Sequence, residues 1–268
     1  MQFFSVQAQP GAWGRRLLPI VLVFVVIMLY GVTAHVRHKA NPKDKLVPTF
    51  SEMFDGVNRV AFEPDRDGDY RLWSDTLVSS IRFLVGIVIV FFGVFIGLHM
   101  GTCPYIEALL YRFVLFFDKT PALALLPILF IVFGLGERSK IALIAIGVMP
   151  TLILDTYIRA KAVPRELITK ALTLKASNLE IIYRVVLPQI FPKVLDTVRL
   201  NFKAVLLFLI AGEALASKAG LGYRIFLVRR YIDMAIIIPY VLWISLLAFL
   251  ADLVIRIIIK RRYRWLDK

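Results

Sequence analysis

The chain's 268 residues are 59% hydrophobic and only 19% charged, with a mean hydropathy of +0.74, too apolar for one ordinary soluble core; this composition reads as an all-α protein that crosses a membrane several times. A net charge of +14 would suggest nucleic acid in a soluble protein, but the basic residues cluster beside the apolar runs, where membrane orientation accounts for them and no nucleic-acid partner is needed. The lone Cys103 excludes an internal disulfide and offers no metal framework.

A crossing needs about 20 mostly apolar residues in helical form, because every backbone polar group must be satisfied internally. Leu17 to Thr33 is the first such run, giving an expected helix over 17–34 after a short N-terminal segment, 1–16. Arg15 and Arg16 before it resemble the start of a cleaved signal, but no small-residue cleavage site follows, so a retained span is expected. The segment 35–75 carries seven basic residues from Arg37 to Arg71, offset by acids that include the cluster "EPDRDGD"; it is expected outside. Thr76 to Gly97 forms the second run. Between Ile106 and Phe133, Asp118, Lys119, Thr120 and Pro121 split the apolar run into two pieces of only ~18 Å each as helix. Together they supply one net crossing, either as a broken span or with the first piece along the interface. Ser139 to Ile158, Val194 to Ala216 and Ile236 to Ile259 complete about six crossings.

Charge sets a direction. Arg15 and Arg16, the 159–193 segment with Arg159, Lys161, Arg165, Lys170, Lys175, Arg184 and Lys193, and the terminal "KRRYRWLDK" (260–268) are expected on the cytoplasmic side, so both termini face inward. The loop from Ser217 to Ala235 disagrees, holding Lys218, Arg224, Arg229 and Arg230 against Asp233. Orientation set upstream tolerates it, or it forms an electropositive outer vestibule for an anionic solute.

Pro164 suits a helix start, and Leu167, Ala171, Leu174, Ile181 and Val185 recur at helical spacing, interrupted at Asn178. This pattern predicts two short amphipathic helices with a bend near Ser177 and Asn178, the second stopping at Leu187 and Pro188 because proline removes a donor and clashes with the preceding turn. Their apolar stripes rest on the membrane surface or on a cytoplasmic partner.

The stretch "ALTLKASNLEIIYRVVLPQIFPKVLDTVRLNF" resembles the cytoplasmic coupling loop of ABC importer permease subunits, in the nitrate, sulfonate, taurine and bicarbonate branch of the binding-protein-dependent transport permeases. "NPKDKLVPTFSEMF", "TPALALLPILFIVFGLGERSKIALIAIGVMPTLI" and "AGEALASKAGLGYRI" resemble further segments of that family, in its order. The resemblance implies a permease core over 76–268. It also implies ATPase-coupling residues at Glu166, Thr169, Lys170, Ala171, Leu174, Lys175, Ala176, Ser177, Leu179 and Glu180. Further implied are two ABC ATPase subunits that carry ATP and magnesium, a second permease subunit in a homodimer or heterodimer, and an extracytoplasmic solute-binding protein. The setting would be the lipid of a bacterial inner membrane, and the solute a small oxyanion or organic sulfonate such as nitrate, taurine or an alkanesulfonate. The departure falls on the motif itself, where the family's E-A-A becomes Thr169, Lys170, Ala171 and its glycine becomes Lys175. A divergent working coupling helix, one half of a heterodimer, or loss of coupling would each account for it.

No G-x-x-x-x-G-K-[ST] loop, H-E-x-x-H or G-x-S-x-G occurs, and His35, His38 and His99 do not share a span. The chain is expected to have no catalytic or metal residues, to bind no cofactor directly, and to draw its energy from a separate chain. Polar residues inside spans are functional candidates by default: Asn201, Lys203 and Glu213 are assigned to the substrate path or, for Lys203 and Glu213, to a charge pair bracing the bundle. Arg199 is expected to snorkel to the inner surface, and Asp252 and Arg256 to pair at i, i+4. An ion-coupled secondary transporter and a non-transporting scaffold or sensor subunit are the rival readings.

Overall fold

The computed structural model describes residues 11–41, 44–65 and 68–263. Residues 1–10, Lys43, Arg66, Asp67 and 264–268, with the side chains of Arg15 and Arg16, lie outside the described residues, so the topology expected from these charges rests on sequence. The described chain is all-α: α1 (Ala12–Ala40), α2 (Phe50–Ala61), α3 (Arg71–Thr102), α4 (Pro104–Lys119), α5 (Leu126–Phe133), α6 (Glu137–Lys161), α7 (Arg165–Thr173), α8 (Asn178–Glu180), α9 (Leu187–Leu200), α10 (Phe202–Ala216), α11 (Leu221–Arg229) and α12 (Met234–Arg262). Stretches of α1, α3, α6 and α12 are each long and apolar enough to cross a membrane. Two bent pairs, Pro104–Lys119 with Ala122–Phe133 and Asn178–Ala216 with Leu221–Arg229, bring the total to as many as six, counting each pair as one span.

The expected outer segment 35–75 is largely helical, because α1 runs on to Ala40, α2 occupies its middle and α3 begins at Arg71. Helix α2 starts in a capping box: the Thr49 hydroxyl accepts from the Glu52 amide and the Glu52 carboxylate accepts from the Thr49 amide. That amide hydrogen bond holds the Glu52 carboxyl below its ordinary range.

The broken crossing bends by 87° between α4 and α5. Thr120, forced toward extended backbone by Pro121, ends α4 at φ −78°, ψ 126°, while Asp118 accepts from the Thr151 hydroxyl of α6 at 2.8 Å. The break is thus tied to α6 by a side chain rather than left open.

The main core joins α3 to α6 and to the long helix that follows α7, with Val94, Leu98, Ile144, Val148, Leu152, Val186, Val194 and Val205 buried at its centre. Glycines at 93, 97 and 101 let α3 lie against α6: a Cβ at Gly97 would come within 2.4 Å of the Ile153 carbonyl oxygen, and one at Gly101 within 2.6 Å of the Ala160 Cβ. Small residues four apart are the membrane solution to close helix packing, where hydrocarbon solvent gives no hydrophobic drive to association.

The helix expected to stop at Leu187 and Pro188 does not stop. From Asn178 it passes through a π-helical segment, Ile181–Val186, directly into α9. The proline would lack its hydrogen bond and clash with the carbonyl four residues back in a regular α-helix; the wider π turn makes room for the ring.

Candidate functional site

Two clusters of polar side chains stand out, at opposite ends of the bundle. The first is built around Glu213, fully buried on α10. Its carboxylate accepts from the Ser79 hydroxyl at 2.8 and 3.0 Å, from Arg82 Nη1 at 2.8 Å and from the Gly222 amide at 2.8 Å. Arg82 forks onto Glu137 with Nε at 2.5 Å and Nη2 at 2.7 Å, and Nη1 also donates to the Ala219 carbonyl at 2.8 Å. Lys140, itself buried, donates to the same Glu137 at 2.9 Å.

The loop between α10 and α11 hangs on this cluster. The Gly220 amide donates to Asp75 Oδ1 (2.9 Å), the Leu221 amide to Ser79 Oγ (2.8 Å), and the Gly222 amide to Glu213. Asp75 further accepts from Arg224 Nε at 2.8 Å and Tyr240 at 3.3 Å. Buried backbone groups need partners, and here side chains of α3 and α10 supply them where no secondary structure can. Asp75, Ser79 and Arg82 follow at helical spacing on one face of α3, so about two turns of one helix hold α6, α10, α11 and α12 in a fixed relation.

This arrangement corrects the expected bracing pair. Glu213 pairs with Arg82, whereas Lys203 is exposed and makes no hydrogen bond or ion pair among the described residues. Asn201 donates to the Thr197 carbonyl at 2.9 Å. Arg199 pairs with Asp196 (2.6 Å) and Asp252 (2.8 Å), and Asp252 also takes Arg256 at 3.1 Å. Asp75, Ser79, Arg82, Glu137 and Lys140 escaped the sequence reading. The available signal was a charge in or beside otherwise apolar runs, Arg82 in the second and Lys140 in the fourth.

The second cluster is the loop 165–180. Leu167, Ile168, Ala171 and Ala176 pack on the main core, while Leu172, Leu174 and Leu179 point away, 52%, 84% and 63% exposed. Around these leucines Glu166, Thr169, Lys170, Lys175 and Ser177 are all exposed, and Glu180 lies half-buried. Helix α7 ends in a Schellman turn, in which the Ala176 amide reaches the Ala171 carbonyl (3.0 Å) and the Lys175 amide the Leu172 carbonyl (2.9 Å). Such a turn needs a left-handed residue, and Lys175 takes it at φ +58°. The backbone therefore keeps the glycine conformation without the glycine, at a cost of about 1 kcal/mol. The next helix starts in a second capping box, Ser177 with Glu180. Lys175→Gly is expected to relieve the strain and slow amide exchange across 170–180 about fivefold, measured by hydrogen–deuterium exchange in the purified protein; unchanged or faster exchange would show that the lysine is unstrained there.

The sequence and fold agree with known proteins. The chain is 28% identical over 198 residues to the taurine transport system permease protein TauC of Escherichia coli, covering 74% of this chain and 72% of that protein. It is 26% identical over 266 residues to the putative aliphatic sulfonates transport permease protein SsuC of Bacillus subtilis, covering 97% and 92%. An inward-facing crystal structure of the MetNI methionine ABC transporter shares the fold, at a TM-score of 0.59 and 20% identity over 71% of this chain and 95% of that one. Residues 53–264 match the family described as the binding-protein-dependent transport system inner membrane component, and with four to six candidate crossings around an amphipathic loop the chain belongs to that family of ABC transporter permeases.

Proposed function

We propose that this chain is the membrane-spanning subunit of an ATP-driven importer, in which the 165–180 loop docks an ATPase and the bundle passes a small organic sulfonate or related oxyanion. The observation that carries the docking is the outward row of Leu172, Leu174 and Leu179 on a loop whose inward face is fixed to the core. An apolar patch rimmed by polar residues marks a protein contact. Because the Schellman turn and capping box join α7 to the next helix with no slack, displacement of the loop by an ATPase is passed directly to α9. ATP and magnesium belong to that partner, which favours one of two packings of the bundle and so alternates access.

In this reading the loop end faces the cytoplasm with both termini, in a bacterial inner membrane. Two ATPases serve two permease subunits, and a binding protein delivers solute at the opposite end. Lys218, Arg229 and Arg230 are exposed there, and their field would draw an anion. Arg224 is committed to Asp75. Lys203 lies on the face covered by the second permease subunit or the aqueous path, since an ammonium against hydrocarbon costs at least ~2.5 kcal/mol. The likeness to proteins named for taurine and aliphatic sulfonates supports the solute class.

The test is reconstitution with the ATPase and binding protein. Leu174→Asp should lower ATPase co-purification and taurine uptake at least about tenfold, through loss of a buried leucine contact, with thermal stability unchanged because the side chain is exposed. Undiminished co-purification in both Leu174→Asp and Leu179→Asp would place the docking elsewhere. An active complex that takes up neither taurine nor an alkanesulfonate would remove the solute assignment alone.

A further inference from the structure

At the same end of the bundle as the 165–180 loop, a cavity of about 480 Å³ opens between α6, α9 and α12, lined by Arg159, Lys193, Asp196, Arg256, Lys260 and Tyr263 with Pro192 and Ile259. Its charges divide unequally. Three aspartates hold three arginines: Asp155 takes Arg159 at 2.5 Å, Asp196 takes Arg199 at 2.6 Å and Asp252 takes Arg199 and Arg256 at 2.8 and 3.1 Å. Lys193 on α9 and Lys260 on α12 are left over, exposed on two walls, with no ion pair among the described residues. Among the described residues the only carboxylate in the wall, Asp196, is already held by Arg199 Nε and Nη2.

We propose that this cavity is a binding site for a phosphate-type oxyanion, and that the group it takes is the headgroup phosphate of an anionic phospholipid. Two ammonium groups and the half-neutralised guanidinium of Arg256 converge on a space of small-ligand size, and a basic pocket between membrane helices at one membrane face suits an anionic headgroup. The preference for lipid over a free anion comes from what adjoins the cavity. Leu253, Val254, Ile257 and Ile258 are exposed along the same end of α12, an apolar track that acyl chains would follow and a free anion would not use. Tyr263, whose ring lies 6.4 Å from that of Phe191, supplies an aromatic of the kind found at headgroup level.

Native mass spectrometry of the purified full-length chain, titrated with phosphatidylglycerol or phosphatidylcholine, tests the site. Phosphatidylglycerol should be retained preferentially, and Lys193→Gln with Lys260→Gln should weaken it about fivefold per lysine, about twenty-five-fold together. Lys193→Arg with Lys260→Arg should keep it, and Lys218→Gln with Arg230→Gln, removing as much charge at the other end, should leave it unchanged. If inorganic phosphate displaces the lipid from the wild type but not from the glutamine variant, the site is an oxyanion site open to free phosphate as well. Equal phosphatidylglycerol retention by the wild type and the glutamine variant would overturn the proposal, as would equal loss in the arginine variant, which keeps the charge.

Discussion

Replacing Arg82 by methionine is expected to destabilise the folded chain by about 3–5 kcal/mol, because it strands the charge of a fully buried Glu213. The loss should appear as a large fall in the thermal unfolding midpoint in detergent and as a depleted monodisperse fraction. Adding Glu213→Gln should recover much of it: the amide oxygen still accepts from Gly222 and Ser79, and no buried charge remains. Recovery stays incomplete, since Glu137 and the Ala219 carbonyl have also lost Arg82 as donor, a residual of about 1–2 kcal/mol. Glu213→Gln alone should cost less than Arg82→Met, because Arg82 keeps its fork on Glu137. An Arg82→Met protein as stable as the wild type would show that the cluster does not clamp the helices together.

Gly220→Ala should be nearly as damaging, at about 3 kcal/mol. The backbone there lies at φ +127°, ψ 160°, a region essentially confined to glycine, and a Cβ would stand 2.6 Å from the Glu213 carboxylate. Strain and overpacking each cost of order 1–3 kcal/mol. Gly136→Ala is the matched control, because that residue has an ordinary φ of −83° and nothing within 4 Å of the added carbon. Both glycines belong to G-L-G triplets, at 134–136 and 220–222, that look alike as text. Equal midpoints for the two alanine variants would refute the fit described around Gly220.

Much of the fold is legible without coordinates because hydrocarbon imposes a length. Runs such as Thr76 to Gly97 and Ser139 to Ile158 must be helices of crossing length, and the structure carries them as α3 and α6. The break at Asp118 to Pro121 is equally local, since proline restricts the residue before it. The amphipathic loop and its bend near Ser177 and Asn178 are read from spacing alone, while the capping box that Ser177 forms with Glu180 at that bend was found only in the structure. The expectation of a stop at Leu187 and Pro188 failed because a π turn absorbs a proline at no visible cost in composition.

What the sequence by itself determined is therefore what depends on neighbours within a few residues: the apolar lengths, the broken helix and the stripe on α7. Only the tertiary structure decided which charges meet. Glu213 stands ten residues from Lys203 in the chain but bonds Arg82, 131 positions away, and the backbone of Gly220 finds Asp75 at a separation of 145. The reason is physical. A buried charge must find some partner, and its presence in a span announces that need, but the identity of the partner is set by how closely the helices approach, which the glycines of α3 and the loop behind α10 fix only once the bundle has packed.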